Sequence, residues 1–166
     1  ISAVSSLVLT GVLLLTFLFL IPTGRQNNIQ SLIDSGKYED ALSLIEENGD
    51  FGDTKNLESM CKAGIAFKNL DYETGIDYIY NIGGSVDVKY DNNGGNSEKG
   101  SETIKRARNY VDNNAEKSGY DFHGWLLTDY AIDSKSHYAS INLEAQYNVI
   151  TYNISYTLNG GSSSTQ

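Results

Sequence analysis

The 166-residue sequence predicts a transmembrane helix at the N-terminus, a short all-α segment after it, and an α+β module beyond. Three observations predict this order. Residues 1–21 carry no charged side chain, residues 25–82 set their apolar residues at helical spacing, and from residue 82 the pattern turns to alternation, aromatic residues and paired glycines. Composition narrows the function classes further. With 12 Lys+Arg against 21 Asp+Glu the net charge is −9, which argues against nucleic acid as a partner. A single cysteine closes no intramolecular disulfide, and no CxxC pair or His/Cys cluster is present to hold zinc. The chain is also too short for the largest enzyme folds, such as a (β/α)₈ barrel of about 250 residues.

The expected transmembrane helix occupies residues 1–24. Twenty-one uncharged residues at the α-helical rise span roughly 30 Å, the thickness of a bilayer core, and Pro22 with Gly24 stops the helix at the interface. The run exceeds the apolar stretch of a secretory signal, which is about 7–15 residues long. Arg25 and Lys37 are outweighed by Asp34, Glu39 and Asp40, a poor cytoplasmic flank. The expectation is therefore a single-pass protein of a bacterial cell membrane, with residues 25–166 extracellular. Because Ile1 already lies within the apolar run, the sequence reads as a piece of a longer chain.

Residues 25–82 carry 5 basic and 11 acidic side chains and predict four short amphipathic helices. Their stripes are Ile29, Leu32 and Ile33; Tyr38, Ala41, Leu42 and Ile45; Leu57, Met60, Cys61, Gly64 and Ile65; and Ile76, Ile79 and Tyr80. Cys61 reads as a small core residue, and Asp53 or Thr54 as the cap of the third helix. Asp50-Phe51-Gly52 copies a kinase metal-binding tripeptide by chance, since no HRD-type loop or glycine-rich phosphate loop accompanies it. A shift of 34 residues matches Tyr38 with Tyr72, Ala41 with Gly75, Leu42 with Ile76 and Ile45 with Ile79.

That period, with the run from Gly36 through Tyr38 and Ala41, resembles the tetratricopeptide repeat, although the tryptophan and closing proline of that family are missing. The resemblance makes Gly36, Tyr38, Ala41, Tyr72 and Gly75 structural positions. It implies a scaffold that binds a peptide or protein; a plain helical stalk is the other reading of the same helices.

Residues 83–150 predict the α+β module. Val86, Val88 and Tyr90 alternate with Asp87 and Lys89 in a half-buried strand that ends in the turn-forming Asp91-Asn92-Asn93-Gly94-Gly95. Turn chemistry accounts for these residues better than calcium does, because the glycine is misplaced for an EF-hand loop. Ile104, Ala107, Val111 and Ala115 predict a helix over 101–117, ended by Gly119, and Lys105, Arg106, Arg108 and Lys117 give it a basic face. Ile141, Leu143, Ala145 and Tyr147 predict a last strand over 140–153. Sixty-six residues after the first strand, Tyr152, Ile154 and Tyr156 restart its pattern before Asn159-Gly160-Gly161, so residues 151–166 read as the start of a truncated second copy.

The strand ending in Gly94 and Gly95, the block Gly119-Tyr120-x-Phe122-x-Gly124-Trp125, and the close at Tyr147 resemble the Listeria-Bacteroides repeat, also called the internalin-type B repeat. The closing aromatic departs from the tryptophan usual in that family, and the middle is more basic and more helical. The resemblance implies a β-grasp-like module of bacterial surface proteins, used for spacing or adhesion, with no cofactor, metal or catalytic residue. Phe122 and Trp125 read as core, and Gly124 as a bulge beside the tryptophan. His123 and His137 have no Cys, Ser or acidic partner at a recognised spacing, so no enzyme is expected. The expected function is a membrane-anchored structural spacer, adhesion or interaction module meeting an extracellular protein or glycan. The alternative is a cell-envelope scaffold or sensing protein whose helices grip a protein partner.

Overall fold

The structure is a computed structural model that describes residues 24–50, 52–105, 111, 113–155 and 159–160. Among the described residues four helices come first: α1 (residues 24–34), α2 (Tyr38–Asn48), α3 (Thr54–Lys68) and α4 (Tyr72–Asn81). Six strands follow: β1 (Ser85–Asp91), β2 (Asn96–Ser97), β3 (Ser101–Ile104), β4 (Ala115–Glu116), β5 (Tyr120–Asp133) and β6 (Tyr138–Val149).

The helices are short because left-handed residues end them. Gly36 N–H bonds to Ile33 and Lys37 N–H to Leu32, the paired closure of a Schellman cap, and the pattern recurs at Leu70-Asp71 and Gly83-Gly84. The left-handed residue is Gly36 at φ 76°, Leu70 at φ 63° and Gly83 at φ 75°. Two of these caps are 34 residues apart, and the matched Tyr38 and Tyr72 open α2 and α4. Small residues let the helices close on one another. A Cβ at Gly64 would overlap the Tyr38 ring, and one at Gly75 the Phe67 ring. Ala41 is fully buried beside them, and burial raises the Tyr38 hydroxyl far above its ordinary pKa.

The main sheet has the order β3-β1-β6-β5. Its central strands β1 and β6 run parallel, with Val86 opposite Ala139 and Val88 opposite Ile141, while both outer strands pair antiparallel. β5 carries two register shifts, between Phe122 and Gly124 and between Leu127 and Asp129. These bulges bring Phe122, Trp125, Leu127, Tyr130 and Ile132 opposite Tyr147, Ala145, Leu143, Ile141 and Ala139, although their spacing in sequence is uneven. One apolar face results. Helices α1–α4 cover part of it, and at the end holding the aromatic residues Asn113 bonds to Trp125 and Asn92 to Tyr147, with the β2-β4 ribbon beside them.

Helices and sheet share a single buried cluster that runs from Ile29 and Phe67 through Ile79 to Val88, Ile141 and Leu143. Phe67 of α3 meets Tyr130 of β5 with ring centroids 5.4 Å apart. Polar contacts pin the β5-β6 hairpin to the helices. Asp34 accepts from Ser134 N–H at 2.9 Å, the Gln30 carbonyl accepts from the Ser134 hydroxyl at 3.5 Å, and Asp53 meets His137 Nε2 at 2.9 Å.

These findings correct the expected fold class. The described residues form a small α+β fold of four helices and mixed sheets, in place of a membrane helix, a separate tetratricopeptide-like stalk and a β-grasp-like repeat. The helices are a layer of the same core because their apolar stripes end on the sheet. The expected single-pass anchor is corrected too, together with the membrane as a partner and the extracellular placement of residues 25–166. No helix among the described residues is long and apolar enough to cross a membrane, and residues 1–23, on which that expectation fell, lie outside the described residues. The helix expected over 101–117 gives way to strands at both ends. Ser101–Ile104 pairs with β1 and Ala115–Glu116 with β2, while 106–110 and 112 lie outside the described residues. At 152 and 154 the renewed alternation has no regular secondary structure, and Tyr156 lies outside the described residues.

Candidate functional site

Two surfaces of the sheet concentrate the chemistry. The first is its open face, turned away from the helices. Asp87 and Lys89 of β1, Ser101 and Thr103 of β3, and Ser140 and Asn142 of β6 line a groove of about 600 Å³ there. Alternation puts them on that side because Val86, Val88, Ile141 and Leu143 occupy the other. The groove has an anchored carboxylate. Thr103 donates to Asp87 at 2.6 Å and the Tyr138 hydroxyl at 2.9 Å. These two hydrogen bonds, Thr103 first, hold the Asp87 carboxyl below the usual carboxylate range. The same bond to Asp87 raises the Tyr138 hydroxyl. Beside them Asn142 donates to Asp129 at 3.5 Å, and its carbonyl accepts from Thr128 at 3.1 Å. Hydroxyls, an amide, a carboxylate and an ammonium on a rigid sheet equip this face for polar recognition.

The second surface gathers the repeat-motif positions at the far end of the sheet. Trp125 lies 4.7 Å from Tyr90 and 5.4 Å from Phe122 between ring centroids, and Phe122 lies 6.0 Å from Tyr147. The Trp125 indole donates to the Asn113 carbonyl at 2.6 Å, and the Asn113 side chain bonds Lys99 N–H and C=O at 3.1 and 3.0 Å. This ties the long crossover to β5. Gly94, at φ 77°, and Gly95 form the turn beneath Tyr147, whose hydroxyl donates to the Asn92 carbonyl at 3.0 Å. A Cβ on Gly95 would overlap that hydroxyl and the Glu116 carbonyl oxygen. Gly119, at φ 83°, turns the chain into β5, and Gly124, at φ 129°, sits in the first bulge. Lys117 closes the cluster. Its ammonium lies 4.8 Å from the Tyr120 ring centre and 5.3 Å from that of Tyr147, and donates to the Asn93 carbonyl at 3.0 Å.

The tetratricopeptide-like positions lie apart from both surfaces. Tyr38, Ala41 and Gly75 are buried in the helical layer, Tyr72 packs at its margin, and Gly36 forms a cap. Between α2 and α3, Leu42, Ile45, Glu46, Asp50 and Glu58 line a second groove of about 490 Å³.

Sequence spacing missed the acidic partner of His137, because Asp53 stands 84 residues away. The nearby Ser134 is fully buried and turns its hydroxyl to Gln30, so the group works as a clamp on the hairpin. Among the described residues no group of three His, Cys, Asp or Glu side chains is placed to hold a metal ion. Asp87, Lys89, Ser140 and Asn142 were legible as the polar half of an alternation, Ser101 and Thr103 were expected in a helix, and the pairings of β1 with β3 and β6 that assemble the face have no local signal. A scan against protein-family models found no match, and neither the curated proteins nor the solved structures gave a significant one.

Proposed function

We propose that the chain is a non-catalytic interaction and spacing module that meets its partner through the open face of the sheet. One-sided burial carries this reading. The described helices cover the apolar face, while the other face presents Asp87, Lys89, Thr103, Ser140 and Asn142 on a hydrogen-bonded platform. The resemblance of the motif blocks to the internalin-type B repeat supports the same class. Helices and sheet share one core, which suits a unit that must hold distance and orientation.

The groove over Leu42 and Ile45 supports a second reading, in which α2 and α3 bind a protein partner. It is the weaker one, because Ala41, Ile45, Phe67 and Ile79 are already buried in the chain's own core. A photo-reactive residue at position 142, compared with one at position 58, separates the two in cells that produce the protein. Adducts at 142 that vanish in a Ser140→Arg variant are expected. Adducts confined to 58 refute the open-face reading and favour the helical one.

A further inference from the structure

We propose that the cleft between the β4 turn and the start of β5 is a binding site for a neutral oligosaccharide. It lies at the aromatic end of the sheet, apart from the open face. Asn96, Glu116, Lys117, Tyr120, Asp121 and Phe122 line about 520 Å³, within the range of small-ligand sites.

Two kinds of group meet there. Tyr120 is 38% exposed yet held in place, with Lys117 over its ring and Tyr147 edge-on at 6.4 Å. A sugar ring has a C–H face that packs on such an aromatic surface. Its hydroxyls need acceptors and donors around the rim. Asn96, Glu116 and Asp121 line the cleft with an amide and two carboxylates, and among the described residues their side chains have no hydrogen-bond or ion-pair partner.

Charge decides which sugars fit. Glu116 and Asp121 bring two negative charges against Lys117, whose ammonium already donates to Asn93, and the whole chain carries −9. Sulfated, phosphorylated or uronate-rich glycans are repelled, and neutral ones are not. Preorganisation favours binding. Behind the cleft, Trp125 and Tyr147 pack on the lining residue Phe122 and are themselves hydrogen-bonded to the Asn113 and Asn92 carbonyls, so this wall is set before any ligand arrives.

The test uses the full chain and three probes: cellotriose, maltotriose and triacetylchitotriose. Trp125 is the only tryptophan and touches Phe122 on the cleft wall, so its emission reports binding, and amide NMR shifts at residues 96, 116 and 120–122 locate it. At least one neutral trisaccharide is expected to give a saturable millimolar response with shifts at those positions. Asp121→Ala and Asn96→Ala, both at exposed positions, are expected to weaken it at least ~5-fold at unchanged melting temperature, and Tyr120→Leu to abolish it. Four results would overturn the proposal: no saturable response to any of the three, equal affinity in the Asp121 and Asn96 variants, shifts confined to the open face around Asn142, or tighter binding of a heparin disaccharide or trilysine.

Discussion

Replacing Phe67 by alanine tests whether the helices and the sheet are one folding unit. The ring is fully buried, lies directly on Gly75 and packs against Tyr130 of β5 at 5.4 Å between centroids. Gly75 has no side chain that could move into the space, so the ring's removal leaves a cavity between the Gly75 backbone and Tyr130. Phe→Ala at such a site costs about 3–5 kcal/mol, a large share of the roughly 5–15 kcal/mol that holds a domain together. Near the melting point about 1 kcal/mol shifts a domain of this size by a few degrees, so a fall of about 10–15 °C is expected. Far-UV circular dichroism reports chiefly the helices, and Trp125 emission reports the opposite end of the sheet. With one shared core both transitions move together and remain superimposable. A variant whose helical signal melts early while the Trp125 transition stays at its wild-type temperature would rule out a shared core, because it would show a separable helical segment.

Four further predictions follow from local geometry. Leu70 is 57% exposed at φ 63°, where a Cβ costs roughly 1–2 kcal/mol, so Leu70→Gly is expected to raise the melting temperature by a few degrees; a decrease would contradict the strained cap. Gly95→Ala forces a Cβ into Tyr147 and the Glu116 backbone and should cost about 1–3 kcal/mol in urea unfolding, while Gly100→Ala meets nothing within 4 Å and should stay within about 0.5 kcal/mol. Asp87 has a lowered folded-state pKa, so the unfolded chain binds more protons between its folded and unfolded values. The stability it adds is complete above the unfolded pKa and lost as pH falls through the folded one, and Thr103→Val should raise its NMR-titrated pKa and flatten that acid limb. Burial pushes the fully enclosed Cys61 thiol up to about 12, so it should ignore a thiol reagent at pH 8 in the folded chain and react once urea unfolds it.

Most of the local elements were legible in the sequence. Apolar spacing marked α1 to α4, alternation marked β1 and most of β6, and Gly36 and Asn93-Gly94 marked two reversals, because each signal lies within a few residues along the chain. It could not decide β5. The two bulges break the period of two, so Phe122, Trp125, Leu127 and Tyr130 show no regular alternation although they share one face. It misassigned Ser101–Ile104, where Ile104, Ala107 and Val111 imitate a helical stripe, because pairing with β1 overrides that local preference. That the helical and sheet segments form one core emerges only in three dimensions. The Phe67–Tyr130 packing, the Asp53–His137 contact and the Ser134–Asp34 bond join residues 63, 84 and 100 positions apart. Contacts of that range leave no periodic mark along the chain, and they arise when buried surfaces meet in three dimensions.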